Sequence, residues 1–425
     1  MMEVPKGWAV APLQSIFVIL NGFAFKSKEY VSSGYRVVRI ANVQQGRIVD
    51  DEPQFYKQNN ELGKYELFEG DLLMSLTGNV GRVGLIPSSM LPAYLNQRVA
   101  CLRVVNKELM SSKYLFYCLN NKHFENSCIT SSKGVAQKNI STVWLRDYLM
   151  PLPPLAEQHR IVAKIDALFS KLDKGMETLQ TIRQQLRTYR QAVLKWAFEG
   201  LTETKRINEC FDITGGLTKN SKRNILPLQM PYIRVANVYY NYLDLKEIKT
   251  IGVEQAEIER TTLQKGDLLF VEGNGSRDQI GRVAQWNGEI EDCLHQNHII
   301  KGRPLGSMLG KFAIYFLMTE GGRTQIRDVS SSTSGLYTLS TNKVKSLLVP
   351  FCTIEEQAAI VAAIDSRLSV CDKLEAIVDE SLVKAEALRQ SILKKAFAGQ
   401  LVPQDPDDEP ADVLLERIRK LKVAK

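Results

Sequence analysis

A chain of 425 residues has room for two to three domains, and its 44% hydrophobic content is ordinary for a globular protein. No apolar run approaches the ~20 residues of a membrane span, and the N-terminus lacks the apolar core of a signal peptide, so membrane-spanning and secreted classes are not expected. The seven cysteines show no CxxC or Cys/His spacing, which argues against a disulfide framework and for a cytoplasmic protein. The net charge of +8 permits a polyanionic partner without requiring one.

The first 150 residues predict a mixed α+β domain of short strands and turns. Residues 35–43 (YRVVRIANV) carry β-branched residues bounded by polar ones, a pattern typical of a strand. Residues 70–74 (GDLLM) predict a turn that leads into a buried strand. A short helix is expected around residues 113–120, followed by a loop rich in serine and threonine at residues 130–134.

A long helix is predicted next, because apolar residues keep a seven-residue period between residues 151 and 200. The two rows are Ile161, Leu168, Ile182, Tyr189 and Trp196, interrupted by Gly175, and Ile165, Leu172, Leu179, Leu186 and Val193. A sustained pattern of this kind is typical of a coiled-coil seam. The helix would be about 60 Å long at ~1.5 Å per residue. Gly175 costs roughly 1 kcal/mol relative to alanine and is a candidate position for a bend.

Residues 201–349 repeat the features of the first domain in the same order. Residues 232–238 (YIRVANV) predict the matching strand, residues 266–270 (GDLLF) the turn and buried strand, and residues 309–319 the short helix. The loops between these matched segments differ in sequence. A shared framework with different loops favours one scaffold that presents two recognition surfaces, although duplicated domains that have merely drifted apart would look similar.

The second long helix repeats the first at a constant offset of 199 residues: PLPPLAEQ at 151–158 returns as PFCTIEEQ at 350–357, and AFEG at 197–200 as AFAG at 396–399. Its seam is weaker, with rows Ile360, Leu374 and Leu388, and Ile364, Cys371, Val378, Ala385 and Ile392; Arg367, Ser381 and Lys395 interrupt the first row. Two seams of equal length in one chain should pair, and they should be antiparallel if a two-fold relates the halves.

The predicted fold is therefore α+β, with two pseudo-symmetric domains separated by two long antiparallel helices. The predicted boundaries are residues 1–150 for the first domain, 151–200 for the first helix, 201–349 for the second domain, 350–402 for the second helix and 403–425 for a C-terminal tail.

The motifs of common enzyme classes are missing from this sequence. It contains no Walker A signature, no GxGxxG after a strand, no HExxH or GxSxG, and no Asn/Asp-Pro-Pro-Tyr/Phe motif of amino-methyltransferases. His295 and His298 stand three residues apart without cysteine or acidic partners at ligand spacing, which favours contact with a base or phosphate over a metal site. We expect no catalytic or metal site, and a chain that directs chemistry performed by another polypeptide.

Several segments resemble the conserved regions of type I restriction-modification specificity subunits. They are residues 151–160 and their repeat from residue 350, the helix endings at 195–201 and 394–404, the opening PKGW at 5–8 and the tail at 408–419. The resemblance covers essentially the whole chain. It implies two target recognition domains that each read one half of a bipartite, double-stranded DNA target, while the helix pair sets the unread gap.

The resemblance also implies the partners. Two methyltransferase subunits would dock on the helix pair, and translocating restriction subunits would join that core. S-adenosylmethionine, ATP and Mg are then expected on the partner subunits only, and no cofactor on this chain.

Polar residues on loops that differ between the halves are the candidate DNA contacts, because base edges are read by side chains and phosphates are held by Lys, Arg, Ser and Asn. They are Lys26, Ser27, Lys28, Thr77, Asn79, Arg98, Lys133, Gln137 and Lys138 in the first domain, and Lys219, Asn220, Lys222, Arg223, Asn274, Arg277, His295, Asn297 and His298 in the second. The pairs shared by both halves cannot explain different half-sites and should be framework or backbone contacts: Arg39 and Arg234, Asn42 and Asn237, Arg82 and Arg282.

Three alternatives stay open on this reasoning. The chain could be a coiled-coil scaffold whose duplicated domains bind protein, which salt-independent DNA affinity or none would favour. It could be a DNA-binding remnant without active enzyme partners. It could also be an enzyme with an unrecognised site, in which case the purified chain alone would transfer methyl groups.

Overall fold

The computed structural model describes residues 4–134, 138–333 and 335–423. The chain divides into two compact units: unit 1 comprises residues 1–178 and 380–425, and unit 2 comprises residues 179–379. Both units mix helices and short strands, which confirms the predicted α+β class. None of the described helices is both long enough and apolar enough to cross a membrane.

The core of unit 1 is an antiparallel sheet with a second sheet beside it. The first sheet has the strand order Phe17–Asn21, Val99–Val104, Leu72–Ser75, Val83–Leu85. The second has the order Phe55–Tyr56, Tyr35–Val38, Ala93–Leu95, Glu66–Leu67, and its Tyr35–Val38 and Ala93–Leu95 strands are parallel. Two antiparallel pairs complete the strands: Ala9–Pro12 with Leu149–Leu152, and the hairpin of Val43–Gln44 with Arg47–Ile48.

Among the described residues, unit 1 has four shorter helices before its first long helix; the last three begin at polar N-cap residues that satisfy a free N–H group, whereas the first begins at Pro12 without a side-chain cap. They are Leu13–Ile16, Ser112–Leu119, Lys122–Ser131 and Thr142–Asp147, with 3-10 turns at Ser27–Glu29, Ile40–Asn42, Asn60–Tyr65 and Ser88–Met90. Ser111, Asn121 and Ser141 each accept a hydrogen bond from the backbone of the helix that follows. The helix predicted around residues 113–120 is Ser112–Leu119.

Unit 2 repeats this arrangement. Its antiparallel sheet has the order Phe211–Gly215, Ile299–Pro304, Leu268–Val271, Val283–Gln285, and its second sheet the order Lys249–Gly252, Gln229–Ile233, Leu294–His295. The remaining strands pair as Thr204–Arg206 with Leu348–Pro350, Val238–Tyr239 with Tyr242–Leu243, and Gly273–Asn274 and Ser331–Thr333 on either side of Leu336–Thr338. Its shorter helices are Ile207–Cys210, Gln255–Thr261, Gly310–Met318, Glu320–Val329 and Thr341–Lys345, with 3-10 turns at Ser221–Ile225 and Val235–Asn237.

The strands predicted over residues 35–43 and 232–238 are wrong in their second halves. The strands end at Val38 and Ile233, and in both units a 3-10 turn that ends on an asparagine follows. The buried Asn42 side chain accepts a hydrogen bond from Arg39 N at 2.8 Å and donates one to Val49 O at 2.9 Å. Asn237 makes the matching bonds to Arg234 N and Asp244 O. Because an asparagine side chain that bonds the backbone three residues back stabilises a turn, it competes with the extended pattern.

A buried ion pair supports the central strands of each unit. The buried carboxylate of Asp71 receives two guanidinium bonds from Arg103, at 2.9 and 2.7 Å. Asp267 and Arg303 repeat this fork at 3.0 and 2.9 Å. Bidentate pairing orients both groups. It therefore holds each predicted turn, at residues 70–71 and 266–267, against the strand that carries the arginine.

The two long helices are Leu155–Ala197 and Ile354–Phe397, and they pack together. In unit 1, Ile161 and Ile165 share a core with Ile392 and Ala396. In unit 2, Arg183 pairs with Asp379 at 3.2 Å and Arg190 with Asp372 at 2.6 Å, so the partner number falls as the first helix advances. This order confirms the predicted antiparallel pairing.

The predicted seam holds along one row of the first helix, but in the other row it holds only at the start, where Ile161 is buried. Ile165, Leu186 and Val193 are buried, whereas Tyr189 and Trp196 are 48% and 50% exposed. The helix continues unbroken through Gly175. This glycine is exposed, so it interrupts the apolar row but does not end the helix.

Two arginines of the second long helix cover aromatic rings, one in each unit. The Arg367 guanidinium lies 4.2 Å from the Trp196 ring centre in unit 2. In unit 1, Arg389 lies 4.3 Å from the Phe169 ring centre and also pairs with Asp173. Arginine stacks on aromatic faces while its charge stays solvated, which explains why an arginine is compatible with a packed helix pair.

The start of each long helix is tied to its unit by a fully buried glutamine. Gln158 accepts a hydrogen bond from Ser111 N at 3.0 Å and donates one to Pro153 O at 3.0 Å. Gln357 accepts from Leu309 N at 2.8 Å and donates to Cys352 O at 2.9 Å. These two glutamines end the matched words PLPPLAEQ and PFCTIEEQ.

The C-terminal tail packs on unit 1 as a helix, Ala411–Val423. Its residues Ala411, Leu414, Leu415 and Ile418 are buried in the unit 1 core. Asp408, just before this helix, pairs with Arg160 of the first long helix at 2.7 Å. At the first residue of the helix, Ala411 N donates to Gly7 O of the N-terminal segment at 3.0 Å. Unit 2 has no counterpart, because the chain passes from the first long helix to the strand Thr204–Arg206 through residues 198–203 alone.

This packing predicts that the tail stabilises unit 1. Leu414→Ala removes a side chain that is 2% exposed and should lower the free energy of unfolding by about 2–5 kcal/mol. Val413→Ala, at a neighbouring position that is 40% exposed, is the matched control and should change it little. Urea unfolding of the full chain measures both, and equal effects of the two substitutions would contradict the packing.

Candidate nucleic-acid interface

Three loops of unit 1 meet at the end of its central strand Leu72–Ser75. Leu76 N donates to Arg98 O at 3.0 Å, and Gly78 N donates to Lys138 O at 2.8 Å. Lys133 and Asn139 exchange backbone bonds at 2.9 and 2.8 Å. The structure therefore brings together five of the predicted contacts: Thr77, Asn79, Arg98, Lys133 and Lys138. Thr77 is half-buried and the other four are exposed. Gln137 lies outside the described residues.

The same three loops meet in unit 2, at the end of Leu268–Val271. Glu272 N donates to His298 O at 2.9 Å, and Leu339 N donates to Glu272 O at 2.7 Å. The serine-rich segment at 330–335, which matches the predicted loop at 130–134, contains the strand Ser331–Thr333; this strand pairs with Leu336–Thr338, which pairs in turn with Gly273–Asn274. Arg277 and His298 are exposed at this interface, while Asn274 and Asn297 are half-buried.

A further exposed segment borders each interface. In unit 1 it follows Phe23, whose carbonyl accepts a hydrogen bond from Gln97 N at 3.0 Å; in unit 2 it follows Leu217, which accepts one from Asn297 N at 2.8 Å. These segments carry the exposed candidates Lys26, Ser27 and Lys28, and Lys219, Asn220 and Lys222. Gln97 is also exposed beside Arg98 and was not among the predicted contacts, although it lies in the same loop.

Two predicted contacts are corrected by the structure, because their side chains are used inside unit 2. His295 is fully buried on the strand Leu294–His295, with Nδ1 2.9 Å from Thr261 O. Arg223 forms a fork with Glu257 at 2.8 and 2.7 Å and donates to the carbonyls of Thr218 and Gly252. The Arg223 fork lowers the pKa of Glu257 to about 2. Both residues therefore hold the framework beneath the loops and do not present a free group to DNA.

The shared arginines have internal partners, as a framework role requires. Arg39 donates to Glu52 O at 2.8 Å, and Arg234 donates to Glu247 O at 3.2 Å. Arg82 donates to the Gln44 side chain at 2.8 Å. The corresponding Arg282 donates to Val235 O at 3.3 Å and lies 5.0 Å from the centre of the Tyr239 ring.

The chemistry of both interfaces is that of a polyanion-binding surface. Exposed Lys and Arg side chains supply positive charge, and Asn, Ser and Thr supply neutral donors and acceptors. Such groups hold phosphates and read base edges. Among the described residues, no group of His, Cys, Asp and Glu is arranged to hold a metal ion.

One family model matches the chain twice. The model of the type I restriction modification DNA specificity domain covers residues 5–186 and again residues 200–381. The chain belongs to this family. It is a type I restriction-modification DNA specificity subunit with two recognition domains, and the protein-binding scaffold is not favoured.

Relatives of this specificity subunit match nearly its full length. It is 27% identical to the specificity subunit of the type I restriction enzyme EcoKI from Escherichia coli strain K12, over 99% of this chain and 97% of that one. It is 26% identical to the StySPI specificity subunit from Salmonella potsdam, over 98% and 96%.

Solved structures share the fold of this specificity subunit at 20% identity. A chain from a structure of type I restriction-modification assembly and conformational transition aligns with a TM-score of 0.74, over 94% of this chain and 100% of that one. The HsdS subunit from Thermoanaerobacter tengcongensis aligns with a TM-score of 0.55, over 94% and 98%.

Burial of His295 predicts that unit 2 is sensitive to acid. Burial lowers the pKa of His295 to about 4; nearby Lys301 and Arg260 act in the same direction, while the Thr261 carbonyl and Asp267 oppose them. An unfolded histidine takes up its proton near pH 6.5, so the unfolded state binds more protons between pH 6.5 and 4 and stability falls as the pH falls through that window. The loss should be on the order of 2 kcal/mol at pH 5.

Urea unfolding of the full chain at pH 7.5 and pH 5 measures this loss. His295→Asn places at this position the residue found at the matched position Asn96 of unit 1, and it should remove most of the pH-dependent difference. A variant that keeps the full difference would show that another group causes it.

The exposed Arg277 predicts a contact confined to one half of the target. Arg277→Ala should weaken reading of the unit 2 half-site by about 1–3 kcal/mol if the guanidinium is bidentate to guanine. Equilibrium binding to duplexes altered in either half measures this, with Arg187→Ala, an exposed arginine on the first long helix, as the control for lost charge. Unchanged binding and methylation would remove Arg277 from the interface.

Proposed function

We propose that each unit reads one half of a bipartite, asymmetric DNA target through its own interface loops. The observation that carries this proposal is the repeated meeting of three loops on the same framework with different side chains. Arg98, Lys133 and Lys138 occupy the unit 1 interface, whereas Arg277 and His298 occupy that of unit 2. Matching frameworks give both units the same mode of binding, and different side chains give them different sequences to read.

The exposed lysines that border the loops are assigned to the phosphates. Lys26, Lys28, Lys219 and Lys222 are exposed, and Lys26 lies 3.4 Å from Glu29. Contacts of this kind fix the protein on the duplex and make affinity fall with salt, but they carry no sequence information.

We further propose that the paired long helices set the unread gap and dock two methyltransferase subunits, which restriction subunits then join. An exposed apolar stripe on the second helix supports docking: Val370, Leu374 and Ile377 are 55%, 43% and 56% exposed, at the spacing of one helix face. An amphipathic partner helix would cover such a stripe. The chain itself is non-catalytic in this proposal. S-adenosylmethionine, ATP and Mg bind the partner subunits, and the complex works on DNA in the cytoplasm.

Methylation mapping tests this function. A plasmid-bearing host would express the chain with and without its neighbouring methyltransferase. The expected result is an asymmetric two-part motif with a fixed gap, methylated only when both are present, and replacement of one recognition domain should change one half of it. A stable complex that methylates no such motif would contradict the proposal and point to a DNA-binding remnant.

The spacer role predicts that helix length sets the gap. Seven residues inserted after Thr178 and seven after Asp379 preserve the seam period and lengthen each helix by about 10 Å, the length of about three base pairs. The methylated motif should keep both halves and gain about three base pairs between them. The same insertion after the exposed Gly306, in a loop of unit 2, is the control. An unchanged gap in the double insertion would refute the spacer role.

A further inference from the structure

The recognition loop that follows the central strand differs in length between the two units. In both units the loop is closed by one backbone bond, from Gly81 N to Ser75 O at 3.0 Å and from Gly281 N to Val271 O at 3.2 Å. The closed loop contains residues 76–80 in unit 1 and residues 272–280 in unit 2, so it is four residues longer in unit 2. A longer loop loses more conformational entropy when it is ordered, so it needs more contacts to hold one shape.

The short loop of unit 1 is held from within by a serine. The buried Ser75 hydroxyl donates to Asn79 O and accepts a hydrogen bond from Arg82 N at 3.1 Å. The matched residue in unit 2 is Val271, which has no hydroxyl and cannot make either bond.

The long loop of unit 2 is held from outside by a buried arginine. Arg323, on the helix Glu320–Val329, is 8% exposed. Its guanidinium donates to the carbonyls of Ile280 at 2.7 Å, Asp278 at 3.2 Å and Gly281 at 3.5 Å. Among the described residues, no carboxylate lies within ion-pair distance of Arg323, so backbone carbonyls of the loop are its polar partners.

A tyrosine completes this arrangement. The Tyr240 hydroxyl also donates to Asp278 O, and the Tyr240 ring centre lies 5.0 Å from the Arg323 guanidinium carbon. Tyr240 lies in the turn between Val238–Tyr239 and Tyr242–Leu243. This turn and the helix that carries Arg323 therefore bind the same part of the loop. In unit 1 the matched helix position is Glu125, which pairs with Lys122 on its own helix at 2.8 Å.

We propose that Arg323 and Tyr240 form a clamp that positions the recognition loop 272–280 and thereby sets how unit 2 discriminates its half-site. The clamp rests on the proposed function, in which this loop reads DNA. Arg277 lies next to Asp278, the residue held by both clamp members, so the clamp fixes the backbone beside the exposed side chain that faces DNA. Arg323 and Tyr240 act through the loop and are positioning residues.

The test uses the full chain in complex with its methyltransferase and duplexes that carry the mapped motif. Dissociation constants are measured for the intact motif, for a duplex altered in the unit 2 half and for one altered in the unit 1 half. Arg323→Ala should reduce discrimination in the unit 2 half by about tenfold, because three carbonyls lose their charged donor and the loop samples other shapes. Discrimination in the unit 1 half should change by less than about twofold.

Further variants separate positioning from general damage. Tyr240→Phe keeps the ring and removes one hydroxyl, so it should reduce only unit 2 discrimination, by less than Arg323→Ala does. Arg323→Lys keeps the charge with fewer donors and should recover part of the loss. Glu125→Ala, at the matched position in unit 1, should leave discrimination in the unit 2 half unchanged. The salt dependence of binding should stay the same in all variants, since neither clamp residue neutralises a phosphate.

The outcomes distinguish the clamp from the function on which it rests. A wild-type complex that discriminates neither half overturns both. A wild-type complex that discriminates both halves, together with a folded Arg323→Ala variant that keeps unit 2 discrimination or loses both halves equally, overturns the clamp alone. If Arg323→Ala does not fold, Arg323→Lys and Tyr240→Phe decide, and unchanged unit 2 discrimination in both overturns the clamp.

Discussion

A buried glutamine at the start of each long helix is the contact on which the rest of the structure depends. The amides of Gln158 and Gln357 join the first helical turn to the segment that opens the neighbouring short helix. A buried donor or acceptor left without a partner costs about 1–3 kcal/mol. These hydrogen bonds therefore favour one position of the helix on each unit. Asp166 and Asp365 add a second tie farther along, through Tyr117 and Tyr315. Two ties on one helix fix its rotation as well as its position.

In each unit, the framework strands and the interface loops are stabilised by different kinds of contact. The framework repeats its contacts: the fork of Asp71 and Arg103 returns as Asp267 and Arg303, and the turn of Asn42 returns with Asn237. The loops do not repeat theirs, since a serine holds one and an arginine holds the other. A recognition surface can therefore change while the strands beneath it keep their hydrogen bonds.

The tail makes unit 1 chemically unlike unit 2. The Trp8 indole donates to the Glu157 carboxylate at 2.9 Å, and the tail covers this region through the pair of Arg160 and Asp408. Burial raises the pKa of Glu157. In unit 2 the matched Glu356 is exposed and accepts hydrogen bonds from Thr353, which lowers its pKa. The same helix-opening carboxylate is thus buried in one unit and solvated in the other.

The sequence by itself determined the repeat, the α+β class and the two long helices. Repeated segments and seven-residue periods of apolar residues depend on local propensity and burial, which the sequence records directly. It also located the loops that differ between the units, since segments that differ between matched strands have to lie outside the shared core. Only the tertiary structure decided which polar residues on those loops are free. His295 and Arg223 looked like DNA contacts by residue type, yet Thr261 and Glu257 use them internally. No local sequence pattern singles out Arg323, yet it holds three carbonyls that are 42 to 45 residues away in sequence. A side chain's hydrogen-bond partner depends on which distant backbone the fold brings beside it, and no local pattern in the sequence records that.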